Sequence, residues 1–324
     1  MNTYSVLTKS FILGMLTFMN VAFAQSFPDH PIVLVVPNPP GGLVDTSARL
    51  LSEPLTRVIG QPVVVDNKPG ASGNTAYQFV AKAKPDGYTL LISYSGYHVG
   101  NPALMDKLPW DPVKDYSPIA LLTVSTNVIA VHPSVPVNNL KEFIAYAKAN
   151  PGKVRYGSSG PGSASHLAGE LFASMAGVEL LHVPYKGTGQ ALIDLLAGHI
   201  DLMFAPAQTV MPQIESGKLV ALAQTGAKRS EALPGLPTIA ESGLPGYSAV
   251  GWFGLFAPAN TPKAVVQKIN KTVMFVLGQD QVRRSMLERG SDPASGSADE
   301  FAAFLRLDQS KWAKLLKENK VAVQ

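Results

Sequence analysis

The stretch IVLVVPNPPGGLVDTSARLLSEPLTRVI, residues 32–59, decides how this chain folds. It opens with five consecutive apolar residues, Ile32 to Val36, a pattern typical of a β-strand that is covered on both faces. A turn rich in Pro and Gly follows, and a helical pattern then runs from Asp45 to Ile59 and ends at Gly60. A buried strand that leads through a turn into a helix is the repeating unit of a parallel α/β sheet.

The alternation of strand and helix continues along the chain. A helical pattern at 74–84 lies between apolar runs at 62–66 and 88–94, and this βαβαβ order favours a parallel sheet with helices on both faces. Further strands are predicted at 127–131, 154–157, 180–183, 201–205, 220–224 and 250–257. Further helices are predicted at 139–149, from about Ser163, Thr188 and Thr209, at 262–277, at 281–289 and from the capping box Ser297–Glu300 onward. Two α/β units with a helical tail predict two lobes that face a cleft.

The first 24 residues have the pattern of a secretory signal peptide. Lys9 precedes an apolar core at residues 11–21, and Ala22-Phe23-Ala24 forms a small-x-small cleavage site before Gln25. The alternative is a membrane anchor, which the short and interrupted apolar run disfavours. The chain has no cysteine, which excludes disulfides and a lipid anchor on a cysteine. We therefore predict a protein that is free in the periplasm after cleavage.

Charge and motifs argue against several function classes. The net charge is only +4 and no Lys/Arg run occurs, which argues against nucleic acid as a partner. The window Gly157–Pro161 ends in Pro where a G-x-S-x-G elbow needs Gly, and no Gly-Lys-Ser/Thr loop occurs. The six histidines form no i,i+4 pair of the kind that binds zinc. We therefore predict no catalytic residue, no metal site and no cofactor.

The loop in YGSSGPGSASHLAGE, residues 156–170, is predicted to seat an anion. A strand ends at Gly157, and an uncharged Gly/Ser/Pro loop leads into a helix near Ser163 whose first N–H groups have no helical partner. The alternative is an ordinary N-capped helix after a loose turn. The turn at 37–42 has the same design, and ligands of open α/β sheets bind beyond the carboxyl ends of strands. Neither loop contains Arg or Lys, so a carboxylate there would rely on amides, hydroxyls and bridging waters.

Several long segments resemble one known family. The segments PNPPGGLVDTSARLL (37–51), YGSSGPGSASHLAGELF (156–172) and HVPYKGTGQALIDLLAGHID (182–201) are similar to those of the extracytoplasmic solute receptors of tripartite tricarboxylate transporters, also called the Bug family. The resemblance implies an α/β, two-lobed type 2 periplasmic-binding-protein fold with mixed sheets and a ligand cleft between the lobes. It implies a lobe one at 26–125 plus 248–324 and a lobe two at 126–247. It also implies a periplasmic receptor, which we expect to be a monomer, delivering a small organic carboxylate to a two-component inner-membrane permease.

Departures from the family pattern bear on the ligand. Ala205 stands where many members carry Asp, which removes a partner for a ligand ammonium and argues against amino acids. Leu43 replaces a residue that is usually Pro, and Tyr97 replaces one that is often small. The departures and the neighbouring aromatic residues predict apolar or aromatic cleft walls. The aromatic residues concerned are Tyr94, Tyr97, Trp252 and Phe253. An alternative interpretation of Trp252 and Phe253 is that they belong to the core of the hinge. We expect a carboxylate with an apolar body, such as terephthalate, rather than citrate, whose charge would favour arginine.

The predicted ligand contacts come from both loops and from the strand ends beside them. They are Asn38, Pro40, Gly41, Gly42, Leu43, Asp45, Tyr94, Tyr97, His98, Ser158, Ser159, Gly160, Ser163, Ser165, His166, Tyr185 and Ala205. Asp45 is expected to support the first loop at the helix N-terminus rather than to touch an anion. A sensor for a membrane signalling protein and a periplasmic enzyme on the same scaffold remain as alternatives; the lack of a nucleophile–base pair argues against the enzyme.

Overall fold

The computed structural model describes residues 27–41, 43–105, 107–160 and 163–318, in which strands and helices alternate. The strands are β1 (Ile32–Val36), β2 (Val63–Asn67), β3 (Thr89–Tyr94), β4 (Tyr116–Val131), β5 (Val154–Ser158), β6 (Leu180–Pro184), β7 (Leu202–Pro206), β8 (Val220–Gln224), β9 (Val250–Pro258) and β10 (Asp292–Pro293). The α-helices are α1 (Leu43–Ile59), α2 (Asn74–Ala81), α3 (Asn101–Leu104), α4 (Leu140–Ala149), α5 (Ala164–Ala176), α6 (Thr188–Leu196), α7 (Ala207–Glu215), α8 (Lys263–Leu277), α9 (Asp280–Leu287) and α10 (Ala298–Glu318). Apart from β4, the predicted elements are confirmed, with ends that differ by a few residues at most.

Two parallel units lie at the two ends of one mixed sheet. The strand order is β2-β1-β3-β9-β4-β7-β5-β6, with β8 and β10 also paired to β4. Strand β1 is parallel to β2 and β3, and β5 is parallel to β6 and β7, whereas β4 and β9 are antiparallel to their neighbours. We call the part built on β1, β2, β3 and β9 lobe one and the part built on β5, β6, β7 and β8 lobe two. The predicted two-lobed α/β fold with mixed strands is confirmed, and the predicted residue boundaries of the lobes stay predictions.

Strand β4 is one continuous strand that belongs to both lobes. Its residues 116–126 pair with β9, and its residues 127–131 pair with β7 and β8. The predicted start of this strand at Asn127 is wrong, since the pairing with β9 begins at Tyr116. Pro118 cannot donate a ladder hydrogen bond, and a proline is typical of a strand end, so the local pattern does not indicate a strand here. The pairing with β9 shifts register between Pro118 and Ala120, so the proline is accommodated at an irregularity of the ladder.

Each lobe buries apolar side chains between the sheet and its helices. In lobe one, Leu51 of α1 and Ile269 of α8 belong to a buried cluster with the strands. In lobe two, Leu195 of α6 and Val210 of α7 belong to a second such cluster. These clusters hold the strands in place, so that the loops at their ends have a fixed frame.

Helix α10 closes the described part of the chain as predicted. The Ser297 Oγ accepts from the backbone N–H of Glu300 at 3.2 Å, and the Glu300 carboxylate accepts from the N–H of Ser297 at 2.6 Å, which is a capping box. Phe301 and Trp312 of its inner face are buried. The side chains of residues 315 and 316 on that face, and the predicted signal peptide at 1–24, lie outside the described residues. No helix within the described ranges has both the length and the apolar character to cross a bilayer.

Candidate functional site

A cleft of about 730 Å³ lies between the two lobes. Its volume is within the range of small-molecule pockets. Lobe two contributes Ser159, Ser163, Ala164, Leu167, Pro206 and Gln208 to the wall. Lobe one, β4 and the segment from α9 to β10 contribute, among others, Thr46, Ser47, Leu50, Tyr94, Ser95, Tyr97, Asn101, Ser125, Asn127, Trp252, Phe253, Met286, Arg289 and Ser291.

Three serines form a hydrogen-bonded group, here called the serine cluster, at the N-terminus of α5. Ser163 caps the helix, because its Oγ accepts from the backbone N–H of His166 at 3.3 Å. The Oγ of Ser165 lies 3.0 Å from that of Ser163 and 3.2 Å from that of Ser159. Ser159 and Ser163 line the cleft, whereas Ser165 is buried and is not among the described wall residues. Since hydroxyl donors and the helix dipole both favour negative charge, the serine cluster is suited to an anion.

Two stacked histidines support the loop that carries the serine cluster. The Oγ of Ser158 lies 2.6 Å from Nε2 of His182 and accepts from the N–H of Gly160 at 3.1 Å. The ring of His182 stacks on that of His166 with the centroids 4.0 Å apart. Burial, with a smaller effect from His166, lowers the pKa of His182 to about 4, and burial also lowers the pKa of His166. Both rings are therefore neutral near pH 7, and Ser158 is a fully buried structural group rather than a wall residue.

On lobe one, the first turns of α1 reach the cleft through Thr46 and Ser47. The predicted loop residues just before this helix are not part of the described wall; they are Asn38, Pro40 and Gly41. Gly42 and the side chain of Leu43 lie outside the described residues. Contact of this loop with a ligand therefore stays a prediction.

Asp45 ties that loop to its surroundings. Its carboxylate is 1% exposed and accepts from the backbone N–H of Gly41 at 2.8 Å, from Nε of Arg49 at 3.0 Å and from Nδ2 of Asn67 at 2.9 Å. The hydrogen bond from Arg49 is the main cause that lowers the pKa of Asp45. The charge of Asp45 is thus compensated by Arg49 of α1, and Asp45 lies outside the described wall.

Aromatic rings form a further part of the wall. Tyr94 and Tyr97 meet edge to face with their centroids 4.6 Å apart, and Phe253 lies 6.1 Å from Tyr94. Burial raises the pKa of Tyr94 to about 12, so its hydroxyl stays protonated. Trp252 is 1% exposed and donates from Nε1 to the Asp308 carboxylate at 2.9 Å. Trp252 and Phe253 are therefore core residues that also border the cleft, which combines both interpretations of the sequence.

Three more predicted residues are buried or engaged away from the wall. His98 is fully buried and stacks on Phe256 with the ring centroids 4.2 Å apart. Burial lowers the pKa of His98 to about 3, so the ring is neutral. Tyr185 donates its hydroxyl to Asp194 at 2.6 Å. Ala205 is buried in β7, and the residue after it in the chain, Pro206, borders the cleft.

The comparisons with known proteins agree with this architecture. Residues 47–321 match the family model described as tripartite tricarboxylate transporter family receptor. The chain belongs to this receptor family. A relative encoded in the tcbD-tcbE intergenic region of Pseudomonas sp. strain P51 is 37% identical over 295 residues, which are 91% of this chain and 88% of that protein. Protein BugT of Bordetella pertussis is 34% identical over 296 residues, 91% of each chain.

Solved structures extend the comparison to three dimensions. An R. palustris protein with adipate is 38% identical with a TM-score of 0.72, covering 92% of this chain and all of that one. A TctC solute binding protein from Polaromonas, solved with no ligand, is 29% identical with a TM-score of 0.84, covering 90% of this chain and all of that one. The family consists of periplasmic binding proteins, and this chain is a solute-binding receptor rather than an enzyme.

Sequence reasoning missed several residues in the wall of the receptor. Thr46 and Ser47 lie about one helical turn after the predicted loop, so extending that loop into the helix would have found them. Ser125 and Arg289 lie far from both loops in sequence, and only the folded sheet brings them to the cleft. The two loops contain no arginine, but the described wall contains Arg289. The absence of arginine from the loops is therefore no argument against a ligand with more than one negative charge.

Proposed function

We propose that this receptor captures a small organic carboxylate with a substantial apolar body, such as the aromatic dicarboxylate terephthalate. In this proposal it delivers the ligand to a two-component permease of the inner membrane. The first 24 residues act as a cleaved signal peptide. The mature protein works in the periplasm as a monomer.

The composition of the cleft wall is the observation that carries the proposal. Of the described wall residues, one has a charged side chain, Arg289, and none is Asp or Glu. The rest are hydroxyl, amide, aromatic and aliphatic groups, which suit a ligand with an apolar body and an anionic end. The solved relatives with adipate and with malate, the latter 33% identical, are consistent with a carboxylate.

The serine cluster is the proposed seat of one carboxylate, together with the first turns of α1 across the cleft. Ser159 and Ser163 would donate hydroxyl hydrogen bonds, and Thr46 and Ser47 face the same cleft from lobe one. The backbone of Gly41 and Gly42 is proposed to approach the carboxylate through water.

A thermal-shift panel on ligand-stripped mature protein tests the proposal, with calorimetry on each acid that shifts the midpoint. The panel contains aromatic mono- and dicarboxylates, C4–C6 dicarboxylates, citrate and acidic amino acids. A ligand at 100 times its Kd adds about 2.7 kcal/mol to the free energy of unfolding, which raises the thermal unfolding midpoint by several degrees. We expect aromatic or long aliphatic acids to give this shift. A shift with citrate or aspartate alone would contradict the ligand class, and no shift with any carboxylate would contradict the function.

A pair of helix-cap variants tests the proposed seat. Ser163→Ala removes both a helix cap and a wall hydroxyl, whereas Asn139→Ala removes only the cap of α4, where Asn139 accepts from the N–H of Glu142 at 2.9 Å. Each variant should lose about 1 kcal/mol of unfolding free energy. Only Ser163→Ala should also weaken binding, by roughly 10-fold, as measured by calorimetry. Equal affinity in the two variants would exclude the serine cluster as the seat.

A further inference from the structure

Arg289 is an uncompensated cation at the cleft. It is exposed, and the described residues provide no ion pair or hydrogen bond to its guanidinium. Arg283, six residues earlier and within α9, instead pairs with Glu231 at 2.5 Å. Since the described wall contains no carboxylate, the charge of Arg289 is available to an anion that enters the cleft.

The backbone around Arg289 is held in place. The N–H of Gly290 donates to the carbonyl of Leu287 at 2.9 Å, and the N–H of Ser291 donates to the carbonyl of Met286 at 3.0 Å, which is a Schellman motif at the end of α9. Gly290 has a φ of +67°, the left-handed value that this motif requires. The guanidinium therefore projects from a fixed anchor, which reduces the ordering cost of binding a ligand.

The chain after the motif is tied to β4, beside the cleft. The Oγ of Ser291 lies 2.8 Å from that of Ser125, a wall residue of β4. The hydroxyl of Thr123 donates to the carbonyl of Asp292 at 2.7 Å, and β10 pairs with β4 at this point. Arg289 thus borders the cleft from a segment that is bonded to the strand shared by both lobes.

We infer that Arg289 binds the second carboxylate of a dicarboxylate ligand whose first carboxylate lies at the serine cluster. The inference rests on the proposed function and names the substrate class more closely. The serine cluster lies at the N-terminus of α5, and Arg289 lies between α9 and β10, beside β4. The described wall therefore carries two groups from different segments that favour negative charge. A guanidinium forms paired, parallel hydrogen bonds with a carboxylate, which makes Arg289 the residue that distinguishes a diacid from a monoacid.

The same charge distribution selects against other acids. A tricarboxylate would bring a third negative group for which the described wall has no cation. An amino acid would bring an ammonium group for which the described wall has no carboxylate. Each mismatch leaves a desolvated charge without a partner, which is costly for binding.

Calorimetry with two matched pairs of acids tests the inference. The pairs are terephthalate with 4-methylbenzoate and adipate with hexanoate, since each pair differs mainly in the second carboxylate. In Arg289→Gln we expect the better-bound diacid to lose roughly 10- to 100-fold in affinity, because hydrogen bonds to a charged partner have this strength. The monoacid of the same pair should change less than about 3-fold. Arg289→Lys keeps the positive charge but loses the paired guanidinium N–H donors. Its affinity for the diacid should therefore lie between that of the wild-type protein and that of Arg289→Gln.

The matched control is Arg284→Gln, an exposed arginine of α9 that is not part of the described wall. It makes the same change in net charge and should leave both affinities unchanged. If Arg289→Gln behaves like this control, or weakens diacid and monoacid equally, the inference is wrong while the proposed function stands. If the wild-type protein binds neither these four acids nor any other carboxylate of the thermal-shift panel, the proposed function fails and the inference falls with it. If it binds carboxylates of the panel but no diacid, the inference alone is wrong.

Discussion

At the scale of single residues, the pair of Ser158 and His182 explains why the serine loop keeps its shape. In their hydrogen bond of 2.6 Å, either the Ser158 hydroxyl donates to an unprotonated Nε2 of His182 or an Nε2–H donates to the hydroxyl oxygen. The neighbouring ring of His166 stacks on His182 at 4.0 Å, so a proton on one ring disfavours a proton on the other. The carboxylate of Glu170, 3.7 Å from His166 Nε2, partly offsets this effect.

This arrangement predicts a loss of stability in mild acid. The pKa of His182 is about 4 in the folded protein and near 6.5 in the unfolded chain, so the unfolded state binds more protons between these values. Unfolding free energy should therefore fall as the pH drops from about 6.5 towards 4, by roughly 2 kcal/mol from this group. His182→Gln, whose amide can bond Ser158 without titrating, should show a shallower fall in denaturant titrations.

The control for this titration is His199→Gln. His199 is an exposed histidine near Asp194, with a side chain that is 70% accessible. This variant removes one histidine without touching the serine loop, so a fall as shallow as that of His182→Gln would contradict the assigned role of His182. A wild-type slope in His182→Gln would show that other groups cause the acid sensitivity.

At the scale of elements, α5 lies so close to β5 that one position of the helix has room only for hydrogen. A Cβ added at Gly169 would lie 2.4 Å from the ring of Tyr156. That ring is fully buried and its hydroxyl donates to Glu170 at 2.5 Å, so it cannot easily move aside. Close approach of the backbone at Gly169 thus fixes how α5, with the serine cluster at its N-terminus, sits on the sheet.

Two glycine-to-alanine variants separate this contact from helix propensity. Gly169→Ala should destabilise the protein by about 1–3 kcal/mol, because overpacking outweighs the gain in propensity. Gly189→Ala in α6, where no atom lies within 4 Å of the added Cβ, should be neutral or stabilising by up to about 1 kcal/mol. Urea titrations of the two variants measure both effects. A stable Gly169→Ala protein would contradict the close packing of α5 on β5.

Elements and site were not equally accessible to sequence reasoning. The helices and most strands follow from local periodicity and caps, as at Asn139 and Ser163, since these signals lie within one segment of chain. The first half of β4 was missed because Pro118 interrupts the local pattern, and only the pairing with β9 overrides it. The cleft wall was predicted in part, because Arg289 reaches it through tertiary structure that no local pattern encodes.

At the scale of the whole molecule, the two lobes share β4 and meet around the cleft. Because a ligand held by both lobes favours the state in which both contact it, binding should bring the lobes together.

Small-angle X-ray scattering can measure this change. We expect the radius of gyration to decrease when the protein is saturated with the tightest-binding acid of the panel. An acid that gives no thermal shift serves as the control and should leave the scattering unchanged. Identical scattering curves with and without the bound acid would show that the lobes do not close.

The position of β9 between β3 and β4 also has a consequence for how the chain folds. Strands β3 and β4 are not neighbours in the sheet. Both pair with β9, whose residues 250–258 come late in the sequence. The N-terminal α/β unit must therefore wait for nearly the whole polypeptide before its sheet is complete, and closing so long a loop is slow. Until then two strand edges stay unpaired, and during that interval the molecule is most exposed to aggregation and to periplasmic proteases.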